Sequence, residues 1–219
     1  AGSTQIGTAS AAAVTNGSTL TLSFNASATN ALVQAAGQAL LFNNTSDTPG
    51  TSNRTVTLTA TDNHSGSSAT TQTITVSAVN DAPVLDASKS PGLSTILQDS
   101  GAPTNGSTLG STLVSALIDA GGTLSNVSDV DGSSLGIAIT GVSTHGTLYY
   151  STDAGAHWTQ AGALSASSAL LLAVDANTRL YFKPNTGYSG TLSDALTFKA
   201  WDQTGGYTNG QSGVDTSAS

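Results

Sequence analysis

Val76-Ser-Ala-Val-Asn-Asp-Ala-Pro-Val-Leu85 decides how this 219-residue chain is divided. Ile74, Val76 and Ala78 alternate with polar residues, the period-two pattern of a half-buried strand. Asn80-Asp81 then sets two polar side chains next to each other. Pro83 removes a backbone donor and holds Ala82 extended. The stretch closes one run of strand-like sequence and opens another, as at the passage between two β-domains.

Upstream of it, Gln5-Ile6-Gly7 reads as a short strand, and Thr19-Leu-Thr-Leu-Ser-Phe24 places Leu20, Leu22 and Phe24 on one face. Ala28 to Leu40 carries Leu32, Ala35, Ala36 and Ala39 at helical spacing, with Thr29 or Asn30 as the N-cap. Leu40-Leu-Phe42 returns to extended structure, and Asn43-Asn-Thr-Ser-Asp-Thr-Pro-Gly50 is dense in turn formers. Arg54-Thr-Val-Thr-Leu-Thr-Ala60 is expected to bury Val56, Leu58 and Ala60 while threonines line the other side. Asp62 to Gly66 forms a turn, and Thr71 to Ala78 is the returning strand.

Downstream, Thr108 to Ala120 has helical spacing in Leu109, Leu113, Ala116 and Leu117, and Gly121-Gly122 stops it. Strands are expected at Leu135–Ile139, Gly146–Tyr150, Trp158–Gln160, Leu170–Leu172, Arg179–Phe182 and Leu196–Trp201.

Val-Asn-Asp-Ala-Pro-Val resembles the junction of bacterial cadherin-like (Ig-like) tandem repeats, found in large secreted adhesins and biofilm proteins. Leu20 to Val84, with its Asn-Thr-Ser-Asp-Thr-Pro-Gly loop, resembles one such repeat. Phe182-Lys-Pro-Asn-Thr-Gly-Tyr-Ser-Gly190 through Phe198, and Ala200-Trp-Asp-Gln-Thr204, are similar to the last loop and strand of related repeats. The resemblance implies an all-β chain of two tandem Ig/cadherin-like β-sandwich domains, each with one short helix, spanning residues 1–82 and 83–219. It also implies that the first domain lacks strands before Ile6. The second lacks a counterpart of Thr71–Ala78, the strand that would close it. The expected role is structural: an adhesive or extender module, at the cell surface or in the extracellular matrix. Its partners would be neighbouring repeats or identical subunits. A sandwich without its last strand invites strand addition. Donation of the segment from Gln5 to Val14 to a preceding chain would then build a head-to-tail filament.

Composition agrees with that class. Only 8% of residues are charged, and 13 acids against 5 bases give a net charge of −8. Nucleic acid and anionic membranes are poor partners for such a chain, and cations are better ones. There is no cysteine, so no disulfide holds the fold, and no apolar run reaches membrane-spanning length. With neither an initiator Met nor a signal peptide, the sequence reads as a mature or excised piece of something larger.

Calcium is the cofactor these residues point to. Asp129-Val-Asp131-Gly132 resembles the start of a calcium loop, alternate carboxylates converging on one ion and Gly permitting the tight turn. The closing Glu of an EF-hand is absent, since Thr140 stands there. In cadherin-like tandems ions sit at the joints, which recruits Asn80 and Asp81, with Asp62, Asp129, Asp131 and Asp202 as companions. Alternatively, all of these acids cap turns.

Other constellations carry less chemistry. Ser151-Thr-Asp153-Ala-Gly155-Ala-His-Trp158 fits the Asp-box pattern of sialidase propellers, where its role is to tie down a hairpin turn. One copy and five basic residues do not make a sialidase. His64, His145 and His157 lie in unrelated turns, and no Gly-x-Ser-x-Gly elbow is present, so no enzyme is expected. Sequons at Asn16, Asn25, Asn44, Asn105 and Asn126 permit glycosylation. A carbohydrate-binding module presenting Trp158, Trp201, Tyr149, Tyr150 and Tyr181 to surface glycans is the alternative function, with core packing the competing use of those rings.

Overall fold

The computed structural model describes residues 5–15, 17–120, 122–132 and 134–217. Asn16 and Gly121, named above, lie outside the described residues. The chain is mostly β and divides into two compact units, Ala1–Ser46 and Asp47–Ser219. Among the described residues no helix is long and apolar enough to cross a membrane.

The smaller unit holds β1 (Gly7–Ala9) and β2 (Leu22–Phe24), antiparallel with Gly7 opposite Phe24. It also holds α1 (Asn30–Gln38), the helix expected from Ala28–Leu40. Thr29 is its N-cap: the residue is extended, and its hydroxyl accepts from the Leu32 N–H at 3.4 Å. No residue of α1 is buried, and Leu32, Val33, Phe24 and Phe42 are all more than a third exposed. A nine-residue helix without a buried face is marginal in water, where isolated helices need about 12–15 residues. Leu40–Phe42 joins no strand, and Leu41 is 93% exposed.

The larger unit begins with a hairpin of β3 (Arg54–Thr61) and β4 (Ser67–Ile74). All eight residues of each strand pair, from Arg54 opposite Ile74 to Thr61 opposite Ser67. The returning strand thus starts earlier than the alternation around Val76 implies, because pairing begins at the Asp62–Gly66 turn. The register puts Val56, Leu58, Ala60 and Ile74 on one face and Thr55, Thr57, Thr59, Thr71 and Thr73 on the other. That apolar face is not buried as expected: Val56 and Leu58 are 41% and 42% exposed. Among the described residues no further strand pairs with the hairpin, so alternation made the strands while Val56 and Leu58 stayed exposed.

The rest of this unit carries a packed core between two sheets. β5 (Val84–Leu85) pairs with β7 (Val127–Ser128). β6 (Thr112–Leu113), β9 (Gly146–Ser151), β10 (Thr159–Gln160) and β12 (Arg179–Pro184) form an antiparallel sheet in the order β10-β9-β12-β6. β8 (Gly136–Val142), β11 (Leu170–Ala173) and β13 (Leu196–Trp201) form a second, in the order β11-β8-β13. Leu148 and Leu180 from the first sheet meet Ile137, Ile139, Leu170 and Leu172 from the second in one cluster, each no more than 2% exposed. Burying such a side chain contributes about 1.5–3 kcal/mol, so this cluster dominates the stability of the unit.

The helix expected over Thr108–Ala120 does not form. Gly110 takes a left-handed conformation at φ +73, and Thr112–Leu113 joins β12 with Leu113 opposite Arg179. Only a three-residue 3-10 turn, Val114–Ala116, follows. The helical spacing of Leu113, Ala116 and Leu117 instead reflects a turn that buries Val114, Leu117 and Ile118, while Leu109 stays 86% exposed. Tertiary pairing overrides local preference here.

Candidate functional site

The joint is built where strand pairing ends at Ile74 and resumes at Val84. Between them the chain is tied down by its own polar residues. Asn80 donates through Nδ2 to Asp202 Oδ2 at 2.6 Å, and the Asp81 N–H donates to Asp131 Oδ2 at 2.6 Å. Asp129 Oδ1 accepts from the Asp131 N–H at 3.0 Å, and Gly132 closes that turn at φ +64. After Pro83, Val84 and Leu85 pair with Ser128 and Val127, and the Asp86 N–H donates to the Asn126 carbonyl at 2.8 Å. The stiff restart is therefore clamped along residues 126–131.

Five of the six residues singled out from sequence thus form one chain of contacts: Asp202, Asn80, Asp81, Asp131 and Asp129. Asp62 does not join them. It caps the β3–β4 turn, its Oδ1 accepting from the His64 and Gly66 N–H groups at 2.9 and 2.8 Å. Asp202 performs the same local task for Thr204, whose N–H and hydroxyl both donate to Oδ1, at 3.0 and 2.7 Å.

Asp202 is only 8% exposed. Burial pushes its carboxyl up, but hydrogen bonds from Thr204 and Asn80 outweigh that and hold it below the ordinary carboxylate value. A buried carboxylate with donors on both oxygens stays ionised at neutral pH.

The donors here are all oxygens, the chemistry that suits a hard cation such as calcium. The donor set fits that ion in kind. Among the described residues, however, no three acids or histidines stand close enough to form a ready cage. Asn80 and Asp81 present N–H groups to the two carboxylates.

One contributor to the joint was not anticipated. Asn126, 1% exposed, accepts from the Asp119 N–H at 2.9 Å and donates to the Leu117 carbonyl at 2.9 Å. It holds the loop whose backbone receives Asp86. In sequence it appears only as a sequon, and burial removes it from the glycosylation sites the folded chain can offer. Asn25, Asn44 and Asn105 are exposed, their Oδ1 atoms accepting from the N–H groups of Ser27, Ser46 and Trp158.

The Asp-box segment is a braced turn. Asp153 Oδ1 accepts from the Ser151 hydroxyl at 2.7 Å and from the His157 N–H at 2.9 Å, while Oδ2 lies 2.6 Å from His157 Nδ1. Gly155 is left-handed at φ +84, and Trp158 Nε1 donates to the Ser107 carbonyl at 3.0 Å. His145 stacks on Tyr188 at 4.8 Å, and His64 sits in the β3–β4 turn.

Aromatic side chains are used in packing. Trp201 and Tyr181 are 9% and 7% exposed, Trp158 meets Tyr181 edge-on at 6.2 Å, and the Tyr181 hydroxyl donates to the Gly101 carbonyl at 3.1 Å. Tyr149 and Tyr150 are half-buried in β9, where Tyr150 donates to the Gly210 carbonyl at 3.4 Å.

No protein-family model matches the chain, nor does any curated protein or solved structure.

Proposed function

We propose that the chain is a structural and adhesive module of a large secreted bacterial surface or matrix protein, built on the cadherin-like tandem plan, with its two sandwich domains meeting at Asn80–Pro83. The observation that carries this reading is the pinned joint. A segment with no regular secondary structure of its own is fixed by Asn80 to Asp202 and by Asp81 to Asp131. Two short charge-assisted hydrogen bonds on adjacent residues stop that segment from swinging, the behaviour required of a load-bearing rod and not of a flexible linker.

Calcium would deepen the clamp. Asp129, Asp131, Asp81 and Asp202 would supply carboxylate oxygens and Asn80 its Oδ1, the amide turning from its present donation to Asp202. Bound there, the ion supplies charge neutralisation and cross-bridging and no reaction. The chain acts by joining neighbours, either further repeats or identical subunits, and a β-sheet edge is the natural means.

The reading is tested by thermal unfolding and small-angle scattering on one sample, with millimolar calcium and after chelation. Binding to the folded state alone stabilises by about 2.7 kcal/mol at a hundredfold excess over Kd. A higher Tm with calcium, abolished in Asp131→Asn, supports the clamped joint. An unchanged Tm together with scattering that shows a freely swinging joint in both conditions sinks it.

A further inference from the structure

The turn aspartates reveal an internal correspondence. Thr57-Leu-Thr-Ala-Thr-Asp62 and Thr197-Phe-Lys-Ala-Trp-Asp202 share the same layout: a strand with alternating Leu or Phe and Ala, ended by an aspartate. In each case that aspartate binds the N–H two residues on. After Asp62 the chain returns as β4 and pairs with β3 along its whole length. After Asp202 it goes elsewhere. Residues 210–214 run beside β11, with the Leu171 N–H donating to the Gln211 carbonyl and the Ala169 N–H to the Val214 carbonyl, each at 2.8 Å. The sheet therefore ends at β13, and the place that β4 fills beside β3 is unfilled beside β13 among the described residues.

Exposure across that sheet follows the same line. Ile137 and Ile139 of β8 and Leu170 and Leu172 of β11 are at most 1% exposed. Leu196, Phe198 and Ala200 of β13 pack on the same core yet are only half-buried. On the β13 side the core is flanked by β5, whose Leu85 packs on it, and among the described residues by no further strand of the same sheet. Meanwhile the β3–β4 hairpin has the opposite deficiency: paired strands, a free outer edge on β4 among the described residues, and exposed Val56 and Leu58 on the face they share with half-buried Ile74 and with Ser68, Thr70 and Gln72.

We infer that the β3–β4 hairpin of a second copy adds to this edge, β4 against β13. The three-stranded sheet becomes five-stranded: Ile74 of the incoming β4, with Ser68, Thr70 and Gln72 on the same face, lies next to the rim at Leu196, Phe198 and Ala200, and Val56 and Leu58 of β3 extend that face one strand further out. β4 has eight residues against six in β13, enough to pair its whole length. Backbone hydrogen bonds supply the attachment, and the apolar side of β3, fixed relative to β4 by their pairing, sets which face turns to the core. Pairing the same strands antiparallel within one chain is disfavoured. Asn80 is held beside Asp202 at the far end of β13, so the six steps from Ile74 to Asn80 would be stretched to nearly their full reach of about 20 Å. Each copy carries both halves of the contact on different surfaces, so the association is heterologous and propagates.

This interface rests on the self-associating branch of the proposed function, and one set of measurements separates the two. The whole chain is followed by sedimentation velocity across the micromolar range, beside Leu58→Lys. The chain lacks cysteine, so Thr197→Cys and Thr71→Cys variants, both at exposed positions on the faces turned away from the core, are also mixed under oxidising conditions. Expected are concentration-dependent oligomers, at least about tenfold weaker in Leu58→Lys, the loss of about 1.4 kcal/mol that a tenfold change represents. The mixed cysteine variants should form a disulfide heterodimer. Leu58→Lys touches no packed core, so a native far-UV spectrum is its internal control. Oligomers that Leu58→Lys leaves intact, with no heterodimer, overturn this interface and spare self-association by another edge. A wild-type chain that stays monomeric throughout overturns both. A Thr197→Cys/Thr71→Cys double variant that closes only within one chain overturns the trans arrangement in favour of an intramolecular one.

Discussion

Asn80 Nδ2 lies 2.6 Å from Asp202 Oδ2 across 122 positions of sequence, and together with the Thr204 hydroxyl and N–H it keeps a buried carboxylate charged there. Replacing Asn80 by Ala removes one donor from an acceptor that water cannot fully reach. Hydrogen bonds to charged groups contribute about 1.5–3 kcal/mol, and in a domain of this size each kcal/mol moves Tm by roughly 2–4 °C. Asn80→Ala is therefore expected to lower Tm by roughly 3–12 °C and to raise hydrogen exchange in residues 80–86. Exchange unchanged at Asp81 and Val84 would show that the joint is held by other contacts.

Acid should loosen the same region, with a definite sign. The carboxyls of Asp202, Asp86 and Asp215 all lie below their ordinary value, and Asp153 is lowered to about 2, chiefly by the His157 N–H and ring and the Ser151 hydroxyl. A carboxylate whose folded value is depressed stabilises the fold above its unfolded value of about 3.9, and the contribution is lost as pH falls through the folded value. Stability should hold down to about pH 5 and fall steadily from about pH 4 to 2. Asp153→Asn should flatten the lowest part of that fall. A Tm that rises on acidification from about pH 5 to 3 would mean that relief of the net negative charge outweighs these bonds.

What could be read in advance follows from how local each signal is. β3, β8, β9, β12 and β13 were legible because alternation is written into consecutive residues such as Arg54–Ala60 and Leu196–Trp201. Thr29 was legible as a cap because its hydroxyl binds three residues on. Pro83 acts where it stands, whereas Asn80 and Asp81 act on Asp202 and Asp131, 122 and 50 positions away, and no local pattern announces those pairings. The Thr108–Ala120 segment was misread because its apolar spacing suits a helix, while its structure is decided by Thr178 and Arg179, more than 60 residues away. The exposure of Val56 and Leu58 was equally hidden: alternation announces a face that needs covering and is silent on what covers it.

Leu180 and Leu58 sharpen that distinction into a measurement. Both are strand leucines, but Leu180 is fully buried between the sheets and Leu58 is 42% exposed. Leu180→Ala should cost about 2–5 kcal/mol, the transfer and cavity terms together. Leu58→Ala, measured at concentrations where the chain is monomeric, should cost no more than about 0.5 kcal/mol. Chemical denaturation of the two variants decides the matter. Equal losses would place the hairpin inside a core of its own chain and remove the reason for it to seek a second copy.

Gly155 tests whether the Asp-box segment is architecture. It sits at φ +84, and a Cβ added there would stand 2.7 Å from the Ser107 carbonyl oxygen and 3.1 Å from the Thr108 methyl. The same backbone carbonyl receives the Trp158 indole at 3.0 Å, so Ser107 cannot retreat without breaking that bond. Left-handed backbone costs a non-glycine residue about 1–2 kcal/mol, and a contact with rigid main chain adds to it. Gly155→Ala is thus expected to destabilise the larger unit by at least about 1–2 kcal/mol and to blue- or red-shift Trp158 emission as the ring leaves Tyr181. Trp158→Phe, which keeps the ring and loses the donor to Ser107, should lose about 1 kcal/mol. If Gly155→Ala were instead neutral while Trp158→Phe abolished binding to a glycan surface, the turn would be presenting its tryptophan to a ligand, and the aromatic side chains would have to be assigned to recognition in place of packing.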